Sequence, residues 1–225
     1  MKIVRYGACD DIDVQFLDEH GYIYYHNVYT NFKKGQIKNP YDRNIFGIGY
    51  IGDGKYGTGD AVKRTQEEYV WRGMLERCYG DKYKGVHSTY YDKCIVCEEW
   101  HNFQNFAEWY TQNFYQVGTE RMHLDKDILV KGNKLYSPDT CLIVPQRINM
   151  LFMQKPNKYN LPSGISPMAN NRYRADYNGK KVGNYNTLEE AIQAHDNEKR
   201  RAIRNIAKEY KPVIPNKLYE ALLNW

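Results

Sequence analysis

Residues 124–149, LDKDILVKGNKLYSPDTCLIVPQRIN, constrain the fold more than any other stretch of the chain. An extended run ends on Asp125, Gly132-Asn133 supplies a turn, and Ser137-Pro138 carries the N-cap and N1 signature of a helix start. A helix begun there would carry Asn149 along it and direct the polar groups of a strand end and a helix at one point. This is the layout of a ββα unit. Asp125 and Asn149 offer hard oxygen donors for one Mg²⁺ or Mn²⁺ ion and leave coordination positions for water and phosphate. A unit of 26 residues cannot bury enough surface by itself, so the rest of the chain must complete its core.

Around this unit the 225 residues divide by pattern into a β-rich region 1–60, a helical and ββα region 61–154, and a C-terminal module 155–225, an α+β chain overall. In the first region, 13–17 and 22–25 flank the turn 18–21 as a hairpin, and 32–37 and 45–50 extend the β reading. Gly52, Gly54, Gly57 and Gly59 read as a flexible joint. Thr65-x-x-Glu68 is a capping box, opening a helix with the stripe Val70/Trp71, Met74/Leu75, Cys78/Tyr79. A second apolar stripe, Trp100 to Phe114, marks a helix over 98–115, and both helices are expected to buttress the ββα unit. The Tyr- and Lys-rich loop 81–93 joins them, read as solvated surface in preference to a DNA contact.

Past the polar linker 154–162 come three short extended segments, 163–166, 172–177 and 180–185, the last two joined by the tight turn Asn178-Gly179. Thr187-x-x-Glu190 is a second capping box, and Leu188, Ala191/Ile192, His195, Ala202/Ile203, Ile206 and Tyr210 give its helix one packing stripe. A three-stranded sheet on one helix follows. Alternation sets Arg172 and Arg174 on the sheet face opposite Tyr173 and Ala175. Lys199-Arg200-Arg201 and Arg204, partly opposite the packing stripe of the helix, read as a solvated face in preference to a second DNA surface. Residues 155–225 hold 13 Lys/Arg against 7 Asp/Glu, +6 of the chain's net +5, so residues 1–154 carry −1. That asymmetry points to a phosphate-tracking C-terminal module.

The central segment resembles the HNH, or ββα-metal, endonuclease superfamily, in particular its phage-encoded branch related to homing endonucleases. The resemblance implies that Asp125 and Asn149 are metal ligands, that Lys126 stands where the general-base histidine belongs, and that Thr140 replaces the asparagine that braces the loop. A lysine with a pKa of about 10.4 cannot take a proton from water at neutral pH. His123 or Asp127 could serve as the base instead, or Lys126 could be depressed by burial or act as a cation on the transition state. The C-terminal module is similar to the APETALA-type DNA-binding domain of plant transcription factors and phage HNH nucleases. The residues that match are Gly164-Ile165, Tyr173-Arg174-Ala175, Gly179-Lys180, Gly183-x-Tyr185-x-Thr187-x-Glu189-Glu190-Ala191 and Ala194-His195-Asp196. It implies that Arg172, Arg174, Lys180 and Lys181 contact bases or phosphates of double-stranded DNA.

Together these imply a sequence-specific, divalent-metal-dependent DNA endonuclease of phage type. The alternative is a catalytically inactive HNH-derived DNA-binding protein, a regulator or a factor countering a host defence. Residues 1–60 are a candidate protein-binding region. Cys94-x-x-Cys97 with Cys78 and His101 carries the residue types of a structural Zn²⁺ site, though Cys78 and Cys97 also fit apolar helical positions. Five cysteines, with neither a leader-like h-region nor a long apolar run, fit reduced thiols and a cytoplasmic location, with no membrane partner.

Overall fold

The computed structural model describes residues 1–59, 63–83, 93–153 and 157–225. The chain divides into two compact units, Met1–Gln112 and Asn113–Trp225.

In the first unit, β1 (Lys2–Ala8), β2 (Asp11–Gln15) and β3 (Ile23–Asn27) form an antiparallel sheet in chain order. Strand alternation sends Ile12 and Val14 into a small core with Ile37, and Ile3, Phe16, Tyr29 and Phe32 pack around it. The expected strand at 32–37 is absent. Residues Tyr29–Lys33 instead wind into α1, and Ile37 joins the core from the segment that follows it. Of 45–50, a single bridge between Ile45 and Gly49 is the only extended pairing within the segment.

Helix α2 (Gln66–Tyr79) forms the N-cap half of its capping box, with Thr65 Oγ1 accepting from the Glu68 amide, while the Glu68 carboxylate turns to Arg72; the helix buries Trp71, Met74, Leu75 and Cys78. After the short strand β4 (Ile95–Val96), the stripe read as one helix breaks in two. A 3₁₀ turn (Glu98–His101) precedes α3 (Phe103–Asn113), and Asn102 between them has extended backbone. The indole N–H of Trp71 donates to the Trp100 carbonyl at 2.7 Å, joining α2 to the 3₁₀ turn at the core. The glycines at 52 and 54 are not a joint. A Cβ on Gly52 would lie 2.3 Å from Asn102 Oδ1, and one on Gly54 would lie 2.4 Å from Gln104 Oε1. Gln104 also brackets the backbone of Tyr56 by two 2.9 Å hydrogen bonds, so this segment is laid down against the start of α3. Most of the loop read at 81–93, and residues 154–156 of the linker, lie outside the described residues.

The second unit opens with β5 (Met122–Asp125), continues through the two-residue β6 (Leu135–Tyr136), and returns along β7 (Leu142–Pro145), antiparallel to β5. Helix α4 (Gln146–Met150) follows at once. The N-cap is therefore Pro145, eight residues after the expected Ser137: Ser137-Pro138 closes a turn, with the amides of Thr140 and Cys141 donating to the Ser137 carbonyl. Pro is equally at home at the second position of such a turn, and the β-branched run Ile143-Val144 before Pro145 favours a strand.

A second sheet, β8 (Ile165–Pro167), β9 (Tyr173–Tyr177) and β10 (Lys180–Tyr185), packs on the N-terminal part of α5 (Leu188–Tyr210), with Ile165, Ala175 and Ala191 buried at the contact. At 23 residues α5 is about 34 Å long. Its C-terminal part faces a different core. Ile203, Ile206, Ala207 and Tyr210 cluster with Ile128, Val144 and Ile148 of the ββα element and with Leu218 and Leu222 of α6 (Asn216–Leu223). One helix thus supplies the hydrophobic backing of both the ββα element and the three-stranded sheet. Among the described residues, no helix is long and apolar enough to cross a membrane.

Candidate functional site

In the β5–β7 ladder His123 stands opposite Val144 and Asp125 opposite Leu142. Directly opposed residues share a face, so all four point to the side where Val144 meets Ile148 of α4. His123 and Asn149 meet there: Asn149 Nδ2 lies 3.0 Å from His123 Nδ1. Both are partly exposed. With the amide nitrogen towards the ring Nδ1 is the acceptor, and with the amide turned over Nδ1–H donates to Oδ1. In either orientation the contact engages Nδ1.

Asp125 is 7 % exposed, and its Oδ1 accepts from the amides of Asp127 at 2.9 Å and Ile128 at 2.8 Å. The carboxylate caps the turn that ends β5. Burial pushes its pKa up, against the lowering effect of those two amides.

Lys126 is 5 % exposed. Its Nζ donates to Asp127 Oδ1 at 2.8 Å and to the Asn133 carbonyl at 2.6 Å, and sits 5.8 Å from the Tyr136 ring centroid. The side chain of Asn133 answers across the same loop, donating to the carbonyls of Lys126 and Leu135 and accepting from the Leu135 amide. Thr140, the expected brace, does hold this loop by donating to the Leu135 carbonyl at 2.7 Å. Asn133 makes three such bonds and is the larger brace. Sequence reading placed Asn133 only as a turn residue. The available signal was an Asn beside a Gly in a loop, where an Asn side chain commonly substitutes for backbone partners.

The C-terminal sheet directs Arg174 and Asp176 away from α5 while Ala175 is fully buried. Arg174 is held by Asp176, with Nη2 to Oδ1 at 2.7 Å. Register places Lys181 opposite Asp176, on the same outward face, whereas Lys180 lies opposite Tyr177. The Tyr177 ring packs 5.6 Å from that of His195 on α5, so Lys180 belongs to the other face, at the hairpin tip. Arg172 is exposed just before β9. The structure therefore brings Arg174 and Lys181 together and sets Lys180 apart.

For metal binding, the ligand atoms of Asp11, Asp13 and His26 form the only group of three Asp, Glu, His or Cys residues within 4.8 Å of one another among the described residues. Arg5 already offsets one of its two negative charges, donating to the carboxylates of both Asp11 and Asp13. Sequence reading had no signal for this cluster, because β3 brings His26 to the two aspartates of β2 only once the strands pair. Cys78, Cys94, Cys97 and His101 do not converge in this way. His101 is buried with Nε2 3.1 Å from the Val96 carbonyl, and burial pushes the Cys97 thiol pKa up. All five cysteines are thiols.

Compared with protein-family models, with curated proteins and with solved structures, the chain matches none of them.

Proposed function

We propose that this protein binds double-stranded DNA through the outward face of β8–β10, with the ββα element retained as a rigid scaffold and not as a cleaving centre. The observation that carries the second half of this reading is the internal commitment of the polar groups at 123–126. The Asp125 carboxylate caps its own turn, the Lys126 ammonium ties Asp127 to the Asn133 carbonyl, and Nδ1 of His123 is engaged with the Asn149 amide. A general base needs an open lone pair within reach of water, and a lysine engaged with a carboxylate offers none. Support for DNA binding comes from Arg174, Lys181 and Arg172 on or beside a sheet whose opposite face is packed, together with the resemblance of that module to a DNA-binding domain. Such a protein would act in the cytoplasm as a regulator or as a phage factor countering a host defence.

The contact between His123 and Asn149 favours a second reading, a divalent-metal endonuclease. Turning the Asn149 amide over would let Oδ1 accept from Nδ1–H and open Nε2 as the base. Asp125 and Asn149 would then be the ligands for Mg²⁺ or Mn²⁺. Duplex DNA incubated with the protein and either ion, read on native and denaturing gels in parallel, separates the two: a shifted but intact duplex is expected, and discrete fragments would establish the second.

A further inference from the structure

Helix α5 carries a cationic stripe on the side that faces neither of its cores. Successive helical residues are about 100° apart, so Asn197, Arg200, Arg201, Arg204 and Lys208 fall in an arc about 100° wide, with Asn205 about 40° beyond it. All six are exposed. Between residues 193 and 208 no carboxylate of α5 falls within this arc. Asp196 lies about 40° beyond one edge, bonded to His195, Glu198 lies beyond the other, paired with Arg201, and Glu209 is on the far side, paired with Arg147. Arg200 bonds the Asn197 amide oxygen at 3.3 Å, and among the described residues Arg200, Arg204 and Lys208 are in no ion pair.

These three stand at i, i+4 and i+8. Like charges at that spacing repel and weaken a helix, so helix stability alone does not account for them. A protein-binding face would need an apolar centre, and a membrane-lying helix an apolar side, yet the arc is polar throughout. The rise of the helix spaces the three cations about 6 Å apart over about 12 Å. Duplex DNA presents one phosphate per about 3.4 Å of axis on each strand, so the stripe matches the length of three to four phosphates. Arginine forks and asparagine amides are donors suited to phosphate oxygens. On the sheet, by contrast, Arg174 is already partnered by Asp176.

We infer that the outward stripe of α5 is a phosphate-backbone contact for duplex DNA. This rests on the reading above that the protein binds DNA, and adds a second surface to it. The test is the salt dependence of binding to a mixed-sequence duplex, between about 50 and about 200 mM salt, for the wild type and an R200Q/R204Q/K208Q variant. Each lost phosphate contact lowers the slope of log K against log salt by about 0.9, so the triple variant should lose about 2.7 while keeping wild-type helicity. Arg204→Gln alone, predicted to lose about 0.9, serves if the triple variant loses helicity. An unchanged slope with wild-type affinity would overturn the stripe and leave DNA binding by the sheet intact. A wild-type protein that binds no duplex at all would overturn both.

Discussion

The ammonium of Lys126 donates to the carbonyl of Asn133 at 2.6 Å, and the amide of Asn133 donates back to the carbonyl of Lys126 at 2.9 Å. This reciprocal pair closes residues 126–133 into one loop, and Asp127 completes it by taking a second bond from the ammonium. The residue that stands in a base position by resemblance is thus part of what holds the loop shut.

Replacing Lys126 by Met should therefore act on stability. The Asn133 carbonyl and the Asp127 carboxylate each lose a charged donor, which costs about 2–3 kcal/mol in urea unfolding. Asn133→Ala should cost a similar amount, and the double variant less than the sum, since both residues belong to one network. Unchanged stability in Lys126→Met would show that the clasp carries no energy.

Asp125 gives a pH-dependent prediction. Its pKa is raised by burial, so between its unfolded value of about 3.8 and the raised folded value the native state holds more proton than the unfolded state. Its contribution to stability is fully present below the unfolded value and is lost as pH rises through the folded one. Asp125→Asn keeps the amide-accepting oxygen without the charge. The difference in Tm, variant minus wild type, should grow more positive from about pH 4 towards pH 7; a difference that falls over that interval would contradict the cause assigned here.

Arg5 works in the opposite sense. Its bonds are the largest cause of the lowered pKa values of Asp11, at about 2, and of Asp13. Carboxylates of this kind stabilise the fold above their unfolded pKa, and that stability is lost as pH falls through the folded value. Arg5→Met should shift acid unfolding of residues 1–112 to higher pH, followed by fluorescence during an acid titration. An unmoved acid transition would mean that the cluster is energetically neutral.

Gly164 tests the packing of the second sheet on α5. Its φ is +82°, and a Cβ there would lie 2.5 Å from the Asp176 carbonyl and 2.6 Å from His195 Cδ2. Both the left-handed backbone and the crowding penalise any side chain, so Gly164→Ala should cost about 2–4 kcal/mol in denaturant unfolding. A near-neutral effect would show that the β8–α5 contact is looser than described.

What could be read from sequence was local chemistry. The Thr187/Glu190 capping box and the Asn178-Gly179 turn specify their elements within a few residues, and both form as read. Ser137-Pro138 failed because a helix start and a turn share that dipeptide, and the strand 142–145 decides between them only through pairing with β5. The double role of α5 was hidden for a different reason. Ile203, Ile206 and Tyr210 announce an apolar face, but periodicity does not say that this face meets Ile128, Val144 and Ile148 rather than the sheet. The burial of Lys126 was likewise set by a partner seven residues away, through a backbone carbonyl that has no sequence signature.

The central claim is that the ββα element is a scaffold within a DNA-binding protein. The most direct measurement incubates the wild type and His123→Ala with duplex DNA and Mg²⁺ or Mn²⁺ and reads native and denaturing gels side by side. The account predicts that both proteins retard the duplex and leave it uncut; fragments made by the wild type and lost in His123→Ala would contradict it and establish His123 as the base of a nuclease.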